Sequence, residues 1–271
     1  MNELDAEKIF SESGRPRLIG KTGEVREVVE SCMNTARRLV GRDVPDGYVI
    51  LAERQRNGRG RTGEWECPAR QGILLAVILR HGLRAENRWL TGLMGAVATA
   101  ETLSQFGPNV QIKWPNDLVV TRHSRGFKIY KIGGVLVEQE VSGDTAPDHI
   151  LGIGINVNQD QRQLPENTLL PATSMKSERK GKALDRNEVC RKLFEKLDFW
   201  YAKLKFGKTE ELLARWRTLS CLLNKCVQAE VKGERVSGEV VGVKATGELI
   251  LKEKNGQNTF LSWERSTLLL S

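Results

Sequence analysis

Gly58-Arg59-Gly60-Arg61-Thr62-Gly63 lies between two apolar runs, at residues 48–52 and 73–79. Apolar runs of this length predict buried strands, and the glycines between them predict a connecting loop. Alternate glycines leave backbone N–H groups accessible, while arginine offers a planar fork to a carboxylate or phosphate. The stretch therefore predicts a loop that closes over an anion. A solvated basic hairpin tip, or an RNA-binding arginine-glycine segment, explains the hexapeptide alone equally well.

The composition is that of a globular protein with a large domain and a small one. The chain has 271 residues, 39% of them hydrophobic, and a formal net charge of +8. No apolar run approaches the roughly 20 residues of a membrane span, and the amino terminus lacks the layout of a signal peptide. These features predict a cytoplasmic protein without a membrane partner. The positive charge is compatible with nucleic acid, with anionic substrates or with an acidic protein partner.

The cysteines and histidines do not indicate a structural metal or a disulfide framework. The five cysteines are scattered without a C-x-x-C pair, and the three histidines lack metal-ligand spacing. Isolated reduced thiols are therefore expected. The polar leader, residues 1–23, predicts a short helix and a loop around Gly14-Arg15-Pro16, with no room for a helix-turn-helix domain.

The order of elements predicts an α+β fold. Residues 24–30 read as a strand, and Ser31 is a candidate N-cap that either caps the next helix or faces a ligand. A packed helix follows at residues 88–106, then an extended segment at 110–120, two further strands and two helices. From Cys226 the pattern changes to short β-branched runs separated by glycines, which suggests a small barrel. We place the boundary between two domains at residues 222 and 223.

Three further motifs carry candidate chemistry. In Lys113-Trp114-Pro115-Asn116-Asp117, the proline interrupts a strand and lets Lys113, Asn116 and Asp117 point to one side, unless this is a plain strand kink. Lys131 precedes a glycine pair in an apolar strand, where it faces either a buried anion or solvent from an edge. Gly152-Ile153-Gly154-Ile155-Asn156-Val157 fails the dinucleotide fingerprint, because its third glycine position is Val157.

Taken in order, these motifs closely resemble the biotin protein ligases. The pattern is A-E-x-Q-x-x-G-R-G-R-x-G at residues 52–63, then K-W-P-N-D, K-I-G-G-V-L-V-E and G-I-G-I-N-V. The resemblance implies a mixed-sheet, class II synthetase-like catalytic domain at residues 1–222 and an SH3-like β-barrel domain at residues 223–271. It also implies ATP, Mg²⁺ and biotin as ligands. Biotin becomes biotinyl-5′-AMP and is then transferred to a lysine of a biotin carboxyl carrier protein, a subunit of acetyl-CoA carboxylase or a similar enzyme.

The resemblance also implies roles for individual residues. Lys131 contacts both the biotin carboxylate and the α-phosphate, and Arg61 lies near the phosphate, so these are the implied catalytic residues. Trp65 packs over the adenylate, and Asp117 is the implied Mg²⁺ ligand. The residues implied to bind biotin are Ser31, Cys32, Met33, Gln55, Gly58, Arg59, Gly60, Arg61, Lys131, Gly134 and Gly152. The residues implied to bind ATP are Arg61, Trp65, Lys113, Asn116, Asp117 and Asn156.

The chain departs from the family pattern at two places. Ser31-Cys32-Met33 stands where the family usually has Ser-Thr-Asn, so Ser31 keeps its implied contact with the biotin ureido group while positions 32 and 33 are changed. The short leader predicts no DNA binding, and the protein is expected as a monomer or homodimer. A lipoate-protein ligase, a basic nucleic-acid-binding module and an inactive biotin-binding scaffold are the alternatives.

Overall fold

The computed structural model describes residues 3–11, 18–61, 63–80, 88–123, 126–140, 147–166, 168–231, 233–263 and 266–269. Thr62 and the predicted leader loop at residues 14–16 lie outside the described residues. Across these segments no helix has the length and apolar character needed to cross a membrane. All five cysteines lie within them and carry free thiols.

The large sheet has seven strands in the order β1-β2-β3-β7-β6-β5-β4. Strands β1 and β2 are parallel and every other neighbouring pair is antiparallel, so the sheet is mixed as expected. The strands are β1 (Gly23–Val29), β2 (Tyr48–Gln55), β3 (Ile73–Leu79), β4 (Val110–Lys113), β5 (Asp117–Arg122), β6 (Lys128–Glu140) and β7 (Asp148–Ile155).

Helices cover both faces of this sheet, and alternation along the strands assigns each apolar side chain to one of two cores. Leu51 and Leu75 belong to the larger core with α3 and α5, whereas Ile50 and Leu74 pack with Cys32 of α2 on the opposite face. The helices are α1 (Ala6–Phe10), α2 (Cys32–Leu39), α3 (Arg88–Ser104), α4 (Met175–Glu178), α5 (Arg186–Lys205) and α6 (Thr209–Leu219), with a 3₁₀ turn at Gln161–Gln163.

Two features differ from the sequence-based expectations. The extended segment at 110–120 is a hairpin, in which Lys113 pairs with Asp117 and residues 114–116 form the turn, because Pro115 cannot donate to a strand ladder. Strand β6 lies between β5 and β7, so the alternative that Lys131 is an edge-strand lysine is wrong.

The carboxyl-terminal strands form a second, five-stranded antiparallel sheet in the order β11-β10-β9-β8-β12. It contacts the first through Trp114, whose Nε1 donates to the Gly247 carbonyl at 3.0 Å. The α+β class with a small carboxyl-terminal β unit is confirmed, while the boundary at 222/223 stays a prediction. The strands are β8 (Cys226–Val231), β9 (Glu234–Val243), β10 (Leu249–Lys252), β11 (Asn258–Leu261) and β12 (Ser266–Leu269).

Candidate active site

One cavity of about 480 Å³ collects most of the residues singled out in the sequence. Its walls come from the β1–α2 junction, the glycine-arginine loop after β2, the β4–β5 turn, strands β6 and β7, and β12 of the small sheet. The predicted site residues that line it are Ser31, Met33, Gln55, Arg59, Gly60, Arg61, Trp65, Lys113, Asn116, Asp117, Lys131, Gly134, Gly152 and Asn156.

Strand register explains why motifs distant in the sequence meet here. Gly134 pairs with Asp117 on one side and with Gly154 on the other, and Gly154 pairs with Leu74. The K-W-P-N-D, K-I-G-G and G-I-G-I motifs therefore share one row across the sheet. The cavity lies over that row.

Glycines make room for the side chains that lie over this row. A Cβ atom at Gly154 would lie 2.7 Å from Cε2 of Trp65, and one at Gly152 would lie 2.5 Å from Sδ of Met33. Both distances are closer than a Cβ contact allows, so these positions exclude any larger residue in the present arrangement. The ammonium of Lys131 lies 5.6 Å from the centroid of the Trp65 ring.

Two lysines share one carboxylate at the centre of the cavity. Lys131 Nζ lies 2.6 Å from Asp117 Oδ1, and Lys113 Nζ lies 3.7 Å from Asp117 Oδ2. Burial chiefly lowers the pKa of Lys113; Asp117 partly offsets this, and the charges of Lys131 and Arg61 lower the pKa further. The site therefore concentrates positive charge, and the burial of Lys113 strengthens the attraction of its ammonium for an anion.

Two asparagines hold the cavity walls in place. Asn116 donates from Nδ2 to the Val135 carbonyl at 2.7 Å and so ties the β4–β5 turn to β6. Asn156 donates to the Thr173 carbonyl at 3.1 Å and accepts from Gln159 Nε2 at 3.0 Å. These hydrogen bonds fix the positions of both side chains in the cavity wall.

Ser31 stands at the N-cap position of α2 without making a capping bond. Its hydroxyl is buried and has no hydrogen-bond partner among the described residues, and Trp65 Nε1 is in the same condition. A buried polar group left unpaired costs free energy, so the plain-cap interpretation of Ser31 loses its support. Both groups are instead available to a ligand.

The glycine-arginine loop is held at its base and tied to the small sheet near its tip. Trp65 N donates to the Gly58 carbonyl, and a Cβ atom at Gly58 would lie 2.2 Å from the Trp65 carbonyl oxygen. Arg59 contacts Asn34 and Glu138, while Arg61 Nη1 donates to the Trp263 carbonyl at 3.3 Å.

Two of the predicted residues do not line the cavity. Gly58 lies beneath the loop, where it lets the two chain segments approach each other. The thiol of Cys32 points into the core and donates to the Leu74 carbonyl at 3.5 Å, while Cys32 N donates to Gln55 Oε1 at 2.7 Å. Their contribution to the site is therefore through the backbone.

Comparisons with known proteins identify the family of this chain. The Biotin/lipoate A/B protein ligase family model matches residues 25–156. The biotin--[acetyl-CoA-carboxylase] ligase of Mycobacterium tuberculosis is 31% identical over 216 residues, covering 77% of this chain and 72% of that protein. The chain belongs to the biotin protein ligase family.

Two more relatives support this placement of the chain among the biotin protein ligases. The bifunctional ligase/repressor BirA of Bacillus subtilis is 28% identical over 235 residues, covering 85% of this chain and 69% of that protein. A solved structure of the biotin protein ligase from Aquifex aeolicus in complex with biotin and ATP has a TM-score of 0.74 and 28% identity, covering 93% of this chain and all of that one.

The donor set of this biotin protein ligase does not fit a resident magnesium ion. Within the described segments no three His, Cys, Asp or Glu side chains are grouped as metal ligands. Asp117 is a single carboxylate whose oxygens already face the ammonium groups of Lys131 and Lys113. Mg²⁺ commonly binds proteins through one or two carboxylates plus substrate phosphates. The Asp117 prediction is thus compatible only with Mg²⁺ that arrives as part of the ATP substrate.

Sequence reasoning missed two parts of the cavity of this biotin protein ligase. The segment after β7 contributes Pro165, Leu170 and Ala172, and the small sheet contributes Ser266 and Leu268. The backbone at residues 171–173 runs beside Lys131, with Lys131 N donating to the Pro171 carbonyl and Thr173 N donating to the Lys131 carbonyl. Neither part carries a periodic pattern or a motif that predicts its place.

Proposed function

We propose that this protein is an ATP-dependent ligase that activates biotin as biotinyl-5′-AMP and transfers it to a lysine of a biotin carboxyl carrier protein. One observation carries the proposal. A single cavity is lined by the cations Lys113 and Lys131. It is also lined by Ser31 and Trp65, whose buried Oγ and Nε1 atoms have no hydrogen-bond partner among the described residues. Such a cavity suits a ligand with an anionic end and a neutral, hydrogen-bonding body.

The first step joins two anions. A biotin carboxylate oxygen attacks the α-phosphorus of ATP, the bond from that phosphorus to the β-phosphate bridging oxygen breaks, and pyrophosphate leaves with the electron pair. Fixed cations favour this step because they offset the repulsion of the approaching anions and the charge that develops on the leaving group. We assign Lys131 to the reacting carboxylate and α-phosphate, and Lys113 and Arg61 to the phosphates.

The remaining assignments follow the position of each side chain in the cavity. Ser31 and Gln55 lie at the β1–α2 end and are assigned to biotin, with Gly152 making room for Met33, which lines the same end of the cavity. Trp65 is assigned to the adenylate, with Asn116 and Asn156 as its polar neighbours. Asp117 orients the ammonium of Lys131 through their 2.6 Å ion pair.

The second step moves biotin to protein. The neutral amine of a carrier lysine attacks the carbonyl carbon of the mixed anhydride, the bond from that carbon to the phosphate oxygen breaks, AMP leaves, and the amine loses a proton. Excluding water until the carrier arrives protects the anhydride from hydrolysis. The glycine-arginine loop borders the cavity and is the element assigned to this exclusion.

Three predictions about the cellular setting stay predictions. These are the identity of the carrier as a subunit of acetyl-CoA carboxylase or a similar enzyme, a cytoplasmic location, and the absence of DNA binding. The expected monomer or homodimer likewise stays a prediction.

The proposed function is tested by incubating the purified protein with biotin, ATP, Mg²⁺ and an unmodified biotin carboxyl carrier domain, and measuring the intact mass of the carrier. We expect one biotin per carrier, attached at a lysine, and no attachment when ATP is omitted. A carrier that keeps its original mass in the complete mixture would contradict the proposal.

Ser31→Ala is expected to raise the KM for biotin about 3- to 10-fold while kcat for adenylate formation is unchanged, because one neutral hydrogen bond to the ligand is lost. The thermal midpoint is expected to stay the same, since Ser31 makes no capping bond. Steady-state kinetics and a melting curve measure both quantities.

Asp185→Ala is the matched control, because Asp185 caps α5 by accepting a hydrogen bond from Asn187 N and does not line the cavity. We expect this variant to lose about 1 kcal/mol of stability and to keep its biotin KM. If Ser31→Ala behaves like the control, the serine is a helix cap and not a biotin contact.

A further inference from the structure

Ser266 is a buried polar residue of the small sheet that has no role in the reaction proposed above. It begins β12, lines the active-site cavity together with Leu268, and is 2% exposed. Its hydroxyl has no hydrogen-bond partner within the segments that the structure describes. Its backbone is fixed by a 3.0 Å hydrogen bond from Ser266 N to the Ser262 carbonyl and by pairing with Val231.

An unpaired hydroxyl in this position is unfavourable for folding alone. A buried hydroxyl without a partner costs free energy, and alanine would fill nearly the same space without that cost. Where such a group lines a cavity, a ligand is the natural source of the missing partner.

Two loops of the small sheet contact the cationic end of the cavity that Ser266 also lines. Trp263, three residues earlier, accepts a hydrogen bond from Arg61 at 3.3 Å, and Gly247 accepts one from Trp114 at 3.0 Å. Trp114 adjoins Lys113, whose ammonium is near enough to Arg61 and Lys131 for their charges to act on it. These are the side chains that the proposed function assigns to phosphate binding.

We propose that the Ser266 hydroxyl donates a hydrogen bond to a phosphate oxygen of the bound nucleoside triphosphate, so that the small sheet completes the nucleotide end of the site. This inference rests on the proposed function. It makes Ser266 a nucleotide-binding residue contributed from outside the large sheet.

The test compares Ser266→Ala with Ser237→Ala, which removes an exposed hydroxyl from β9 of the same sheet. Calorimetry measures the binding of α,β-methylene ATP, which cannot release pyrophosphate, in the presence of saturating biotin. Pyrophosphate exchange supplies the KM for ATP. We expect Ser266→Ala to weaken nucleotide binding and raise the ATP KM about 10- to 100-fold, as for a lost hydrogen bond to a charged group.

A second readout separates ligand binding from a structural role. We expect the thermal midpoint of the free Ser266→Ala protein to be unchanged or raised, the affinity for biotin to be unchanged, and Ser237→Ala to behave as the original protein. A lower midpoint together with weaker binding of both ligands would show that Ser266 is structural and overturn the inference.

The outcomes also separate this inference from the proposed function. Unchanged nucleotide binding by Ser266→Ala, in a protein that still makes biotinyl-5′-AMP, would overturn the inference and leave the function standing. Weakened nucleotide binding, in a protein that never makes the adenylate, would support Ser266 and overturn the function. If the unaltered protein does not bind the nucleotide, both are overturned.

Discussion

Lys131→Ala is expected to slow the formation of biotinyl-5′-AMP by roughly 10³-fold, the size of effect that follows removal of one preorganised electrostatic donor from a reacting centre. Lys131 is the cation assigned to both reacting groups, whereas the ammonium of Lys113 lies 3.7 Å from the other oxygen of Asp117 and is assigned to the phosphates. Single-turnover formation of labelled adenylate from α-labelled ATP measures the effect without the carrier.

Two control variants make this result specific. Lys128→Ala removes an exposed lysine from the same strand and is expected to leave the rate unchanged. Lys131→Arg keeps the charge and is expected to recover only part of the rate, because the guanidinium has a different shape. The fold is expected to survive in Lys131→Ala, because the ammonium of Lys113, 3.7 Å from Asp117 Oδ2, still compensates the charge of that carboxylate. A Lys131→Ala protein that is folded and fully active would remove the central cation from the mechanism.

Arg186→Ala is expected to lower the free energy of unfolding by roughly 3–5 kcal/mol, the usual effect of removing one partner from a buried ion pair. Arg186 and Glu53 are almost completely buried and paired at 2.6 and 3.0 Å. Arg186 also donates to the Gly72 carbonyl, and Glu53 accepts from Leu4 N. The pair therefore holds the start of α5 to β2, the strand that leads into the glycine-arginine loop.

Urea denaturation measures this loss of stability. Two further variants serve as comparisons. Lys203→Ala breaks a solvent-exposed pair with Glu211 and is expected to cost less than about 1 kcal/mol. The double variant Glu53→Gln, Arg186→Met is expected to recover most of the loss, because it leaves no uncompensated buried charge and keeps an acceptor for Leu4 N. If Arg186→Ala costs no more than Lys203→Ala, the buried pair does not anchor the helix.

Local patterns in the sequence were enough to predict the elements that form the site. The apolar runs before and after Gly58 are β2 and β3, and the glycine pair after Lys131 lies in β6, because burial on both faces of a sheet leaves a continuous apolar signature. The resemblance to biotin protein ligases, carried by those motifs, predicted which of their side chains would share a cavity.

Contacts between distant segments could not be predicted in the same way. The pairing of Lys113 with Asp117 turns a predicted extended segment into a hairpin, and only the fold shows that the Ser31 hydroxyl makes no capping bond. Ser266 enters the cavity because the Arg61–Trp263 and Trp114–Gly247 hydrogen bonds bring the small sheet against the site. Such long-range packing has no periodic signal along the chain.

The most direct measurement is pyrophosphate exchange by the purified protein with labelled pyrophosphate, ATP and Mg²⁺. The carboxylic acid substrate supplied is either biotin or lipoate. Exchange requires reversible attack of a carboxylate on the α-phosphate and no carrier protein. We expect label to enter ATP with biotin and not with lipoate, and to do so far more slowly in Lys131→Ala. Exchange with lipoate alone, or none with either acid, would contradict the claim that this cavity joins the biotin carboxylate to the α-phosphate of ATP.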